Sequence, residues 1–170
     1  MGYGLVHVKG SQLQLINCDI IRLEKYDDHA TRLKIIFEQV TKIIETHTPD
    51  ELAIEAPFFG KNVQSMLKLG RAQGVAIAAA LSRNVPIFEY SPKKIKQSIT
   101  GNGNASKEQV AAMLQSLLNV NELHKYLDAS DALGAAVCHY FQSKSPGAGN
   151  VKQSYTGWKA FLTDNPGRKG

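Results

Sequence analysis

The alternation of apolar and polar positions divides the first 142 residues into strands and helices. A period of two over residues 3–8 and 12–21, interrupted by the turn Lys9-Gly10-Ser11, predicts a β-hairpin. From Asp28 to about Thr48 the apolar residues recur at helical spacing, which predicts an amphipathic helix. The segments that follow are predicted as a strand at 52–57, a helix at 62–83, a strand at 85–90, a short basic helix after Ser91-Pro92, and helices at 106–118 and 128–141.

This order of elements predicts an α/β fold in which helices cover both faces of a mixed sheet. The chain changes character at residue 143, so we expect a folded domain over 1–142 and a tail over 143–170. Residues 143–150 are rich in Gly and Ser, and the rest of the tail carries one aromatic cluster, Tyr155, Trp158 and Phe161. From residue 144 onward, five basic residues face one acidic residue. The tail is either a partly ordered chain end or a basic arm that contacts a nucleic-acid backbone.

Composition narrows the class of protein. The chain has 170 residues, of which 43% are hydrophobic and 21% charged, as expected for one folded domain. We find no apolar run long enough for a membrane span and no signal-peptide pattern, so we expect a cytoplasmic protein. Cys18 and Cys138 are isolated and are interpreted as reduced thiols that fill core space. The net charge of +5 suits an anionic partner, although a basic surface alone would also explain it.

Three carboxylates stand where apolar or neutral residues would be more usual. Glu55 interrupts the apolar strand Leu52-Ala-Ile, so it either binds a cation or lies at the exposed strand end. Asp128 and Asp131 share one helix face, where their like charges repel. A divalent cation would relieve that repulsion, but Asp128 is equally suited to cap the helix. If the three carboxylates meet, their oxygen ligands favour Mg²⁺ or Mn²⁺ over zinc.

Basic and aromatic residues surround these carboxylates along the chain. On a nuclease, the basic residues would hold phosphates or stabilise developing charge, while lysines on helices are more commonly just solvated. Phe58 and Phe59 follow the Glu55 strand directly, and aromatic rings beside a basic groove are able to stack on bases, although core packing is their usual role. The basic residues in question are Lys61, Lys68, Arg71, Lys93, Lys94, Lys96 and Lys107.

Several motifs together resemble the crossover junction endodeoxyribonucleases of the RuvC type over residues 2–141. The resemblance implies an RNase H-like fold and a homodimer that resolves four-way (Holliday) DNA junctions by paired nicks in recombination and repair. It also implies Mg²⁺ as cofactor, with Mn²⁺ as a substitute and two ions in each active site, and a RuvA–RuvB branch-migration complex as a further partner. The motifs are Ala53-Ile-Glu-Ala-Pro-Phe-Phe59, Lys61-Asn62, Leu67-Lys-Leu-Gly-Arg-Ala-Gln-Gly74, Pro92-Lys-Lys-Ile-Lys-Gln97, Gly101-Asn-Gly, Ser106-Lys107 and Asp128-Ala-Ser-Asp-Ala-Leu133.

The resemblance also assigns roles to residues. Glu55, Asp128 and Asp131 match three of the family's four catalytic, metal-binding carboxylates. Two lysines match positions near the scissile phosphate, and Phe58 matches the aromatic that opens base stacking near the crossover. The lysines are Lys96 and Lys107, and the remaining DNA-binding assignments are Lys61, Asn62, Arg71, Lys93 and Lys94. Dimerisation rests on the resemblance alone, since we recognise no heptad or exposed apolar stripe in the sequence.

One part of the family pattern has no counterpart in this chain. In the family, a strand ending in Ile-Asp-Pro-Gly precedes the stretch that resembles Gly2-Tyr3-Gly4, and its Asp is the first catalytic carboxylate. That strand lies centrally, so its absence should leave two strand edges without partners. Either Met1 is an internal methionine of a longer protein, or the truncation is real and the product is inactive. We favour the first explanation, because every later family position holds a suitable residue.

Three functions remain open at this point. The leading hypothesis is a metal-dependent, junction-resolving endonuclease. The second is a catalytically impaired junction-binding protein, which would bind DNA through the same lysines and Phe58 but would not cut it. The third is another RNase H-like nuclease that acts on RNA or on a different DNA structure.

Overall fold

The computed structural model describes residues 1–57, 62–120 and 127–144, and for residues 127 and 128 it describes the backbone alone. The elements follow the predicted order. They are β1 (Gly2–Lys9), β2 (Gln12–Ile20), α1 (His29–His47), β3 (Leu52–Glu55), α2 (Val63–Leu81), β4 (Ile87–Tyr90), α3 (Pro92–Thr100), α4 (Lys107–Leu118) and α5 (Leu127–Lys144).

Side chains at the helix starts explain why three boundaries were predictable. Asp28 accepts a hydrogen bond from the backbone N–H of Thr31 and so caps α1. Ser91 caps α3 just before Pro92, and Ser106 forms a capping box with Gln109 at the start of α4. The end of α5 differs from the prediction, because the helix continues to Lys144 and passes the expected domain boundary at residue 142.

The strands form two separate two-stranded sheets. β1 pairs with β2 in antiparallel orientation, with an irregularity in register between Leu5 and Val6. β3 pairs with β4 in parallel orientation, so that Glu55 lies opposite Tyr90. Among the described residues, no further strand pairs with the second edge of β1 or of β3. The two unpaired edges agree with the expectation of a mixed sheet that lacks its first central strand.

Helices pack on both sides of these strands, as predicted. α5 contacts both β1 and β3, and it lies so close to β1 that a Cβ atom at Gly4 would be 2.5 Å from Cδ2 of Leu133. Around α5, Leu114, Leu133 and Val137 are fully buried in one core cluster. A second cluster lies between α1 and α2, where Ile36 packs near Ala79 and Ala80. The absence of bulky side chains on that face of α2 lets the two helices pack closely.

The described helices also bear on the predictions from composition. None of them combines the length and apolar character needed to cross a bilayer. Both cysteines are free thiols, and Cys138 is buried in the core, where burial raises the pKa of its thiol. The predicted core-filling role is therefore confirmed for Cys138.

Candidate active site

Glu55 lies at the end of β3 and is half-buried beside residues from three helices. Burial raises the pKa of its carboxyl, and the negative charge of Asp131 on α5 raises it further. Lys107 on α4 and Lys96 on α3 oppose this effect with their positive charges. The fold therefore brings together four residues that the sequence places on four different elements.

A direct contact links two members of this group. Nζ of Lys107 lies 3.2 Å from Oδ2 of Asp131, and both side chains are exposed. An exposed ion pair of this kind contributes little to stability, at most about 1 kcal/mol. The contact instead shows that the ammonium group of Lys107 reaches the Asp131 carboxylate.

Two hydrogen bonds hold the peptide unit that joins Glu55 to Ala56. The N–H of Ala56 donates to the carbonyl oxygen of Tyr90 at 2.8 Å, which extends the pairing of β3 with β4 past Glu55. On the α2 side, Nε2 of Gln73 donates to the carbonyl oxygen of Glu55 at 2.7 Å. Gln73 was not among the residues predicted for the site. The available signal was a single amide within the apolar run of α2, between Ala72 and Gly74.

Asp128 is part of helix α5, but the structure describes only its backbone. The helix begins at Leu127, so Asp128 is in its first turn, three residues before Asp131. Among the described side chains, no group of three potential metal ligands is present. The described part of the site is thus a carboxylate pair, Glu55 and Asp131, with two lysines.

This pair has the chemistry of a divalent cation site. Its ligands are carboxylate oxygens, which suit Mg²⁺ or Mn²⁺. Burial, and after it the charge of Asp131, raises the pKa of Glu55, so the ionised Glu55 carboxylate lacks full compensation in its half-buried setting. A bound cation would supply that compensation, so the residues present fit a metal ion.

The remaining predicted DNA contacts fall partly inside and partly outside the described residues. Lys93 and Lys94 are exposed in the first turn of α3, and Arg71 and Lys68 are exposed on α2. Asn62 caps α2, with its Oδ1 accepting from the N–H of Ser65 at 3.1 Å. Phe58, Phe59 and Lys61 lie outside the described residues.

α2 carries an exposed apolar stripe that the sequence analysis did not recognise. Its positions recur every three or four residues along one helix face, and three of its large side chains are strongly exposed: Val63 by 63%, Leu67 by 52% and Leu81 by 57%. At Gly70 and Gly74 an added Cβ atom would meet nothing within 4 Å. The α2 stripe consists of Val63, Leu67, Gly70, Gly74, Ala78 and Leu81.

The fold and the site together define an RNase H-like α/β protein, and two solved structures share its architecture. One is described as a Thermus thermophilus RuvC structure, with a TM-score of 0.77 and 29% sequence identity. The other is T. thermophilus RuvC in complex with a Holliday junction substrate, with a TM-score of 0.79 and 30% identity. Each similarity covers 84% of this chain and 87% of the other.

Sequence comparisons identify the family. The family model for Crossover junction endodeoxyribonuclease RuvC matches residues 1–139. A relative of that name from Cytophaga hutchinsonii is 65% identical, over 98% of this chain and 80% of its own length. Another from Porphyromonas gingivalis is 58% identical, over 98% of this chain and 89% of its own length. The chain belongs to the RuvC family, which confirms the resemblance.

Proposed function

We propose that this protein is a structure-selective endodeoxyribonuclease that resolves four-way DNA junctions by paired nicks during recombination and repair. The observation that carries the proposal is the meeting of Glu55 and Asp131 with Lys96 and Lys107 in a chain of the RuvC family. The T. thermophilus relative in complex with a Holliday junction substrate supports the choice of substrate. No observation favours the junction-binding protein without catalysis or a nuclease for RNA.

The cofactor belongs to the same proposal. Glu55, Asp128 and Asp131 would hold two Mg²⁺ ions, with Mn²⁺ as a substitute. Such ions supply charge that activates a water molecule and stabilises the leaving oxygen of a phosphodiester. The carboxylate oxygens of Glu55 and Asp131 support this choice, since they match the ligands that hard cations prefer.

The lysines act on the phosphate itself. Lys96 and Lys107 would place positive charge beside the scissile phosphate as negative charge builds on its oxygens. Lys96 is half-buried, where an interaction between charges is screened less than at the surface. Further from the scissile phosphate, a group of five residues would contact the DNA backbone, and Phe58 would open base stacking near the crossover. The five are Lys61, Asn62, Arg71, Lys93 and Lys94.

The first catalytic carboxylate of the family would come from a strand between β1 and β3. Each of these strands has an edge that pairs with no other strand among the described residues. A strand inserted there would end near Glu55 and would satisfy the backbone N–H and C=O groups of both edges. β1 and β3 both pack on α5, and no hydrogen-bonded ladder joins their sheets among the described residues.

Dimerisation is supported by the α2 stripe. Large apolar side chains are rarely left exposed in a continuous row unless another surface covers them. The two glycines permit a close approach of a second helix, and an isologous contact between two copies places the same stripe on both sides. A homodimer would also supply the two active sites that paired nicks require. We further propose that a RuvA–RuvB branch-migration complex is a partner of this protein. The proposed location is the cytoplasm.

The decisive experiment is cleavage of a mobile four-way junction in Mg²⁺ or Mn²⁺, with Glu55→Gln as the control and gel-shift binding in parallel. Wild-type cleavage that Glu55→Gln abolishes, with junction binding in both proteins, would support the endonuclease and show that the carboxylates present in this chain suffice, because the amide keeps the shape and loses the charge. Binding without wild-type cleavage would favour the catalytically impaired junction-binding protein. Stronger cleavage of an RNA–DNA hybrid than of the junction would favour the third hypothesis.

A further inference from the structure

His139 on α5 lies at the centre of a polar chain that the mechanism above does not use. Its Nε2 atom is 2.6 Å from Oε2 of Glu51, and its Nδ1 atom is 2.7 Å from the hydroxyl of Tyr90. The ring also packs on Phe88, with 4.3 Å between ring centroids. Only 14% of the His139 side chain is exposed. Both nitrogens and one ring face are therefore occupied, which fixes the orientation of the imidazole.

With a neutral imidazole, one arrangement of protons satisfies the hydrogen bonds of Glu51, His139 and Tyr90. Nε2–H donates to the Glu51 carboxylate, which only accepts, and Nδ1 accepts the proton of the Tyr90 hydroxyl. Burial raises the pKa of the Tyr90 hydroxyl, so it keeps the proton that it donates. Hydrogen bonding at one ring nitrogen thus fixes the tautomer that the other presents.

The polar chain of Glu51, His139 and Tyr90 joins β3, β4 and α5, and two of these elements, β3 and α5, carry the carboxylate pair. Glu51 immediately precedes β3, and Tyr90 is the residue of β4 that lies opposite Glu55. His139 follows Asp131 by eight residues on the same helix, which corresponds to about 12 Å along the helix axis. A helix of this length moves as a rod. Any slip of α5 along the strands would therefore displace Asp131 relative to Glu55 by the same distance.

We propose that His139 is a positioning residue that sets the spacing of the Glu55 and Asp131 carboxylates and thereby the size of the cation that they accept. This inference rests on the proposed metal-dependent function. Mg²⁺ requires nearly ideal octahedral geometry with short bonds, whereas Ca²⁺ accepts longer bonds and variable coordination. A fixed spacing consequently favours Mg²⁺, and a loosened one affects Mg²⁺ far more than Ca²⁺.

Two substitutions of His139 separate its contacts. The amide of Asn reaches the position of Nδ1, so His139→Asn keeps a partner for Tyr90 and gives up Glu51. The longer His139→Gln places its amide near the position of Nε2 and gives up Tyr90. Because Tyr90 is the partner next to Glu55, we expect the Gln variant and Tyr90→Phe to disturb the carboxylate spacing more than the Asn variant does.

The experiment measures Mn²⁺ binding by electron paramagnetic resonance of the intact chain without DNA, with Mg²⁺ and Ca²⁺ as competitors. In His139→Gln and Tyr90→Phe, we expect Mg²⁺ competition to weaken about tenfold, a usual effect of removing a residue that orients metal ligands. Ca²⁺ competition should change by less than about twofold, because Ca²⁺ tolerates altered geometry. His139→Asn should stay near wild type for both ions.

Val137→Ala provides the matched control, because Val137 is fully buried on the same helix and should lower thermal stability without touching the polar chain. Its Mg²⁺ and Ca²⁺ competition should match wild type. If Mg²⁺ and Ca²⁺ affinities fall together in step with thermal stability, or do not change in His139→Gln and Tyr90→Phe, the positioning role is wrong. If wild type binds no Mn²⁺, or Glu55→Gln binds it equally well, the proposed metal site itself is wrong.

Discussion

Glu55 combines two properties that work against the folded state, since it is charged and half-buried next to another carboxylate. Its raised pKa means that the folded protein holds the proton more tightly than the unfolded chain does. The cost of ionisation therefore appears as the pH rises from the unfolded value, about 4.3, through the folded one. Below that window the cost disappears. The folded protein is therefore less stable above this pH window, because it carries a charge at the proposed cation site.

We expect Glu55→Gln to stabilise the metal-free protein at pH 7 by up to about 1 kcal/mol, because the amide needs no ionisation in that setting. At pH 4 the gain should be close to zero. Urea unfolding at both pH values measures the difference. The exposed Glu24→Gln is the control and should change little at either pH. A Glu55→Gln variant that is less stable than wild type at pH 7 would show that burial and the Asp131 charge do not raise the pKa of Glu55.

Gln73 acts on the same residue through the backbone. Its amide donates to the Glu55 carbonyl, and its Oε1 atom is buried with no partner among the described residues. Gln73→Leu removes the donor, so we expect a loss of about 1 kcal/mol in unfolding free energy together with weaker Mn²⁺ binding. The exposed Gln64→Leu on the same helix is the matched control. Equal Mn²⁺ affinity in the two variants would limit Gln73 to a structural role.

At the scale of elements, local rules account for most of what could be predicted. Helix starts were predictable because capping residues such as Asp28 and Ser106 act on N–H groups within three residues. The contacts of Gln73 and His139 were not, because they join residues 18, 49 and 88 positions apart. No local pattern specifies which distant partner a polar side chain will meet.

The α2 stripe was missed for a different reason. The helix is apolar on two faces, since its buried face contains Ala76, Ala79 and Ala80 while Leu67 and Leu81 are exposed. Periodicity shows that such a helix has apolar faces, but it does not show which one packs on the core. In α2 small residues pack inward and large ones face solvent, so side-chain size would have suggested the wrong face.

Asn62 has two roles to separate, the observed cap of α2 and the proposed contact with DNA. Asn62→Ala removes the cap of α2 and should cost about 1 kcal/mol in unfolding free energy, whereas Asn62→Ser keeps a capping oxygen and should cost only a few tenths. If Asn62 also contacts DNA as proposed, the shorter Ser should still weaken junction binding. Urea unfolding and gel-shift titration of both variants separate the roles. Unchanged junction affinity in Asn62→Ser would leave Asn62 as a cap alone.

For the whole molecule, the α2 stripe predicts the assembly state. Leu67→Glu places a charge in the centre of the proposed interface, where a buried unpaired carboxylate is costly. We expect a dimer for wild type and a monomer for this variant in sedimentation velocity. Met113→Glu is the matched control, since Met113 is an exposed apolar residue on α4, and it should remain dimeric. A dimeric Leu67→Glu protein would place the interface elsewhere.

α5 also determines the order in which the fold can be completed. The face of the β1–β2 hairpin that packs on α5, where Gly4 contacts Leu133, finds this partner only after more than a hundred further residues have been made. At ribosomal rates this interval lasts roughly 6–24 seconds. During that time the apolar side chains that α5 covers in the finished fold, such as Val6 and Leu15, lack this packing partner. The nascent chain should consequently depend on holding chaperones, and α5 should be the segment whose emergence releases them.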